Sequence, residues 1–212
     1  AMMLGLVDQT SLSAVSLAGQ VQFVLSLFVT GMAAGMAIII AQYWGKMDTV
    51  TIERVVPIAL RMNLIFGGIF TVASLVCPEL LMRFFTNDAA LIAGGADYLR
   101  AVSLSYILCA VSQIYLTLLK NTDHAGLSSK ISCVAVVLNI ILNAILIFGL
   151  LGFPVLGIKG AAYATVAARV VELVWAYLET RRPGRVRVVW KGLFARQQEL
   201  AKDFWHYTTP ML

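Results

Sequence analysis

From Leu12 to Ile40 the chain is almost continuously apolar, and no charged residue occurs between Asp8 and Lys46. Four further stretches repeat the pattern: Val55 to Val76, Ala101 to Leu119, Ile131 to Leu150 and Ile158 to Leu178. Each is close to the ~20 apolar residues that a helix needs to cross a bilayer. The breaks between them carry helix-stopping chemistry. Cys77-Pro78-Glu79 ends the second stretch, and Gly149, Gly152, Pro154 and Gly157 make the turn after the fourth. Ala1 to Val7 reads as the tail of a preceding span, and Asp203 onward as the start of a following one, with Pro210 inside it. The expected fold is an all-α integral membrane protein with five complete transmembrane helices. Its expected segments are a membrane region over 1–180, a basic linker over 181–202 and the start of the next helix over 203–212.

Composition sharpens this. Of the 212 residues, 60% are hydrophobic and 13% charged, against about 25% charged in soluble domains. Mean hydropathy is +0.85. A soluble globular domain, a disordered chain and a coiled coil are all excluded. The net charge of +5 would suggest nucleic acid as a partner of a soluble protein; in a membrane protein it reports which loops face the cytoplasm, so no nucleic acid is expected. Arg181, Arg182, Arg185, Arg187, Lys191, Arg196 and Lys202 follow the last complete span. Alternate loops put Lys120, Lys130, Lys46, Arg54 and Arg61 on the same side, making twelve basic residues against three (Arg83, Arg100 and Lys159) on the other. The expectation is a multi-pass protein of the cell membrane with the linker cytoplasmic. The three cysteines, Cys77, Cys109 and Cys133, lack metal-ligand spacing and read as buried thiols.

Polar groups inside spans are costly and mark pathways or helix contacts. Asn139 and Asn143, one turn apart, share a face of the fourth span. Their carbonyl oxygens suit a hard cation such as Na⁺ or a water-filled proton path; the same amides could instead bond a neighbouring helix, for about 0.6 kcal/mol each. Thr165, Arg169 and Glu172 form a stripe on the fifth span. Arg169 and Glu172 can pair there, as cavity-lining groups or as a structural ion pair. Gln113, mid-span in the third helix, is a third candidate cavity-lining residue. His124 and His206 have no second ligand nearby in sequence, so no metal site is expected beyond Na⁺. No phosphate loop, nucleophile motif or carboxylate pair is present, so no enzyme and no cofactor are expected. Gly31 and Gly35 form a GxxxG pair that allows another helix to approach closely.

Leu138-Asn139-Ile140-Ile141-Leu142-Asn143, followed by Gly157-Ile158-Lys159-Gly160-Ala161-Ala162-Tyr163-Ala164-Thr165, resembles the multidrug and toxic-compound extrusion (MATE) family. Leu12 to Ala18 and the Gly31 to Gln42 region are similar too, so the resemblance extends over the whole chain. It implies one lobe of a two-lobe transporter: two six-helix lobes related by a pseudo-two-fold axis that exchange Na⁺ or H⁺ for organic cations and other drugs. The five spans would be helices two to six of the N-terminal lobe, Thr180 to Lys202 the inter-lobe linker, and the C-terminal lobe would lie beyond this chain. The family's cation site, carried over, falls on Asn139, Asn143 and Thr165. Some members carry aspartate where Asn143 stands, so this site would hold one negative charge fewer. The family's first-helix aspartate would lie just upstream of Ala1. Two other readings fit the same residues: a flippase of lipid-linked saccharides from the same superfamily, and a membrane assembly subunit that transports nothing. Arg169 and Glu172 nearly neutralise each other, which favours cationic small molecules over an anionic lipid-linked substrate.

Overall fold

The computed structural model describes residues 9–149, 154–188 and 198–211. The expected tail of a preceding span over Ala1 to Val7, part of the turn around Gly152, and Lys191 and Arg196 in the linker lie outside the described residues. The described residues are helical throughout, joined by short turns and loops. They form α1 (Gln9–Gly45), α2 (Thr49–Val76), α3 (Pro78–Arg83), α4 (Ala89–Val102), α5 (Leu104–Asn121), α6 (Ala125–Phe148), α7 (Gly157–Thr180) and α8 (Gln198–Thr208), with a 3₁₀ turn at Thr209–Met211.

Local chemistry explains the boundaries. Asp48 caps α2 by accepting from the Thr51 N–H at 3.0 Å. Pro78 starts α3, where its missing N–H costs nothing. Asp88 caps α4 through the Ala90 N–H at 2.8 Å. Gly149 ends α6 with φ of 68°, a left-handed conformation that glycine adopts freely. Four helices, α1, α2, α6 and α7, are each long and apolar enough to cross a membrane. The pair α4–α5, with 49° between its axes, brings the number to five if it is taken as one broken span. The sequence pattern predicts one straight helix from Ala101, and the structure instead breaks it at Ser103. The Ser103 carbonyl accepts from the Thr71 hydroxyl of α2 at 3.1 Å, and the Ser103 hydroxyl donates back to the Arg100 carbonyl at 2.8 Å. Hydroxyls thus satisfy the backbone where the ladder is interrupted, as a bilayer demands.

The core has two parts, both threaded by α1. Its N-terminal half, with Ala18, Val21 and Leu25, packs on Leu99 and Val102 of α4, Tyr106 of α5 and Ala162 of α7. Its C-terminal half, with Met32, Met36 and Ile40, packs on Ile52 and Leu60 of α2, Ile114 and Leu119 of α5, and Phe204 of α8. Gly35 lies directly beneath Thr208, where an added Cβ would stand 2.1 Å from the threonine oxygen. The GxxxG glycine therefore seats α8. By contrast α6 turns an apolar face outward: Val134, Val136, Val137, Ile140 and Ile141 are all exposed. A face this large is stable against lipid or another apolar surface, not against water. Cys77 and Cys133 are exposed rather than buried, Cys77 at the end of α2 and Cys133 on this outward side of α6. Only Cys109 is partly buried.

The two ends of the bundle differ in charge. At one end lie Lys46, Lys120, Arg181, Arg182 and Arg185, with Trp44 donating to Asp123 at 2.8 Å and Glu179 pairing with Arg182 at 3.2 Å and with Arg185. Val186, in the linker, is buried in the core at this end. At the other end Arg100 pairs with Glu79 at 2.6 Å and Lys159 with Asp97 at 3.7 Å.

Candidate functional site

The site lies where α6 and α7 come together. Gly160 allows this, because its α-carbon faces the Leu146 carbonyl and a Cβ would lie only 2.6 Å from that oxygen. Ala161, Ala162, Ala164 and Ala168 keep the buried side of α7 thin. With the helices this close, the Asn139 amide donates to the Thr165 hydroxyl at 3.4 Å. The Thr165 hydroxyl donates one turn back to the Ala161 carbonyl at 2.9 Å. The Asn143 amide donates to both the backbone and the side-chain carbonyl of Asn139, at 2.9 and 3.0 Å. Asn143 therefore orients Asn139, and Asn139 faces Thr165. The three residues form one hydrogen-bonded chain.

A cavity of about 250 Å³ opens beside them, lined by Asn139, Thr165, Arg169, Glu172 and Gln22, with Ala135 and Ala168 leaving the room. Arg169 donates to Glu172 at 2.6 Å. Glu172 is 3% exposed, and the Ser112 hydroxyl of α5 lies 3.2 Å from the same carboxylate oxygen. The Arg169 side chain keeps 31% of its surface open to the cavity. Arg169 stands at the middle of the 24-residue α7, the depth at which an unpaired charge is most costly. The cavity thus offers amide and hydroxyl dipoles together with a carboxylate already neutralised by a guanidinium.

Of the six residues singled out from the sequence, four line this cavity and Asn143 braces one of them. Gln113 does not join them. It lies in a separate cleft between α5 and α6. One further residue belongs to the site. Ser112 of α5 holds Glu172. It comes from a helix distant in sequence, so no single-helix spacing points to it. Gln22 of α1 also lines the cavity, and a single glutamine in an apolar span carries no spacing that points to it.

A bundle of four or five helices long and apolar enough to cross a membrane, packed around a polar, charge-balanced cavity, defines a multi-pass membrane protein. The family model described as MatE matches residues 1–145, and the chain belongs to the MatE (multidrug and toxic-compound extrusion) family. It is 32% identical over 177 residues to the probable multidrug resistance protein NorM of Rhizobium meliloti, covering 84% of this chain and 37% of that protein. It is 28% identical over 162 residues to the probable multidrug resistance protein YoeA of Bacillus subtilis, covering 76% of this chain and 35% of that protein. Among solved structures, a MATE protein in its bent conformation superposes with a TM-score of 0.87 at 24% identity, over 99% of this chain and 46% of that one. A MOP superfamily transporter from Pyrococcus furiosus does so with a TM-score of 0.85 at 24% identity, over 99% and 46%. These likenesses carry the fold. The chain spans 35–46% of the length of these relatives.

Proposed function

We propose that this chain is one lobe of a secondary active antiporter that exports organic cations or other drugs in exchange for Na⁺ or H⁺. The observation that carries the reading is the meeting of Asn139, Asn143 and Thr165 in one hydrogen-bonded chain at the wall of the cavity that also holds Arg169 and Glu172. A monovalent cation leaving water needs oxygen ligands and a compensating charge. The asparagine carbonyls and the threonine hydroxyl supply oxygens. Glu172 is committed to Arg169, so the compensating carboxylate comes from elsewhere, and the family resemblance puts it on the helix preceding α1. With one carboxylate the site is neutral when Na⁺ is bound and neutral when protonated. Either form then crosses the closed state without a bare charge. The coupling ion is the one non-protein group that the mechanism requires.

In this reading a second lobe completes the transport path, in line with the share of the relatives' length that this chain spans. The concentration of basic residues at the linker end supports a cytoplasmic linker, and this reading puts the protein in the cell membrane.

The test is efflux of a fluorescent cationic dye from cells that express the protein from its own gene. Efflux is expected to need a Na⁺ or H⁺ gradient, and Asn139→Ala and Thr165→Ala should each slow it at least about ten-fold, as loss of a positioned ligand does. Efflux that persists with both gradients collapsed, or both variants running at the parental rate, would overturn the assignment.

A further inference from the structure

The cleft holding Gln113 lies between α5 and α6, at the basic end of the bundle, and has a volume of about 400 Å³. Its polar wall consists of Lys120, Gln113, Thr117, Ser128, Ser129 and Ser132. No Asp or Glu lines it. Among the described residues, no hydrogen bond or ion pair engages the side chains of Lys120, Gln113, Thr117, Ser129 or Ser132. The neighbouring backbone acceptors, in contrast, are already used. The Ser128 hydroxyl donates to the Leu116 carbonyl at 3.0 Å, and the Asn121 amide donates to the Thr117 carbonyl at 2.8 Å. What remains in the cleft is one ammonium, three hydroxyls and an amide without internal partners. That is the chemistry of an anion site.

The surroundings select the kind of anion. Cys133 lines the cleft and is exposed. From there the exposed apolar side chains of Val137 and Ile140, one and two turns beyond Cys133 on the same face, form a strip along α6 toward the middle of the span. A free phosphate would leave that strip unused, whereas a lipid fills the cleft with its headgroup and the strip with its acyl chains. We propose that the α5–α6 cleft binds the phosphate of an anionic phospholipid, with Lys120 as the charged donor and Thr117, Ser129 and Ser132 as hydroxyl donors. The site is separate from the cavity at Asn139 and does not depend on the coupling mechanism.

The purified protein, in detergent, is examined by native mass spectrometry with phosphatidylglycerol, phosphatidylcholine or inorganic phosphate added. Phosphatidylglycerol should be retained in preference to phosphatidylcholine, and millimolar phosphate should not displace it. Lys120→Gln should lower its retention about five-fold, the effect of one basic residue at a membrane surface. Ser132→Val should lower it independently. Lys130→Gln, which removes a nearby exposed charge that does not line the cleft, should leave retention unchanged. Equal retention of phosphatidylcholine, displacement by phosphate alone, equal loss in Lys130→Gln and Lys120→Gln, or no loss in Lys120→Gln would each overturn the site. Monodisperse gel filtration of each variant separates lost binding from lost fold.

Discussion

Replacing Glu172 by Gln removes the carboxylate that holds Arg169 and leaves the guanidinium alone at the middle of α7. The pair is close, at 2.6 Å, and its acid is 4% exposed. Breaking a fully buried pair by removing one partner costs about 3–5 kcal/mol. An unpaired arginine at a helix centre costs about 2.5–3.5 kcal/mol on insertion scales. Arg169 keeps 31% of its side chain open to the cavity and recovers part of its hydration there, so the expected loss is about 2–3 kcal/mol, near the lower end of both ranges. For a chain of this size that lowers the melting temperature by roughly 5–10 °C. The assay is thermal unfolding in detergent, followed by fluorescence-detected gel filtration, on Glu172→Gln, Arg169→Gln and the double variant. The double variant carries no unpaired charge and should recover to within about 1 kcal/mol of the parent. A double variant as unstable as Glu172→Gln, or a Glu172→Gln protein as stable as the parent, would show that the two side chains do not compensate each other.

Three further outcomes are expected. Gly160→Ala puts a methyl group 2.6 Å from the Leu146 carbonyl, so α6 and α7 must separate; dye efflux should fall and stability drop by about 1–3 kcal/mol, whereas Gly126→Ala, which faces open space, should change neither. Gly35→Ala meets the side chain and Cα of Thr208 at 2.1–3.0 Å and should lift α8 off α1, read as faster proteolysis in the basic segment before α8; unchanged cleavage would argue against that seating. The Thr51 hydroxyl and N–H hold the Asp48 carboxyl below the usual carboxylate range. A lowered folded-state value means that its stabilisation is complete at neutral pH and is lost as pH falls through that value, so the melting temperature should decline below about pH 4, and Asp48→Asn, which keeps a capping side chain, should flatten that part of the decline.

The spans were legible because each is a continuous apolar run between charges, and lipid exposure leaves such runs free of the alternation that a soluble core requires. The α4 helix was not, because Asp97, Arg100 and the Gly94-Gly95 pair make it look like a loop. The break at Ser103 depends on a Thr71 hydroxyl 32 residues away, which no local pattern contains. Within the site, Asn139, Asn143, Thr165, Arg169 and Glu172 were legible from helical spacing on two spans. Ser112 was hidden because it acts across helices. Gln113 shows the limit of reading polarity without direction. It is adjacent to Ser112, and adjacent helix positions point about 100° apart, so Ser112 reaches Glu172 while Gln113 looks into the α5–α6 cleft.

The same geometry explains why a cavity survives inside a bundle held by close helix packing. Helices in lipid gain little from burying apolar area against each other, so they pack through small residues and close backbone approach. At Gly160 the α6–α7 approach leaves no room even for a methyl group. Two turns further along α7, Ala168 again presents a small side chain, yet there it faces open space with Ala135 across from it. The difference is charge. Arg169 and Glu172 cannot be surrounded by apolar side chains without several kcal/mol of desolvation each, so the walls stand back and polar groups converge from α1, α5 and α6. Asn139 and Thr165 sit at the boundary between the tight contact and the open volume. A cation reaching them from the cavity would meet oxygen dipoles on one side and a neutralised ion pair on the other, because among the described residues the cavity wall holds no carboxylate besides Glu172.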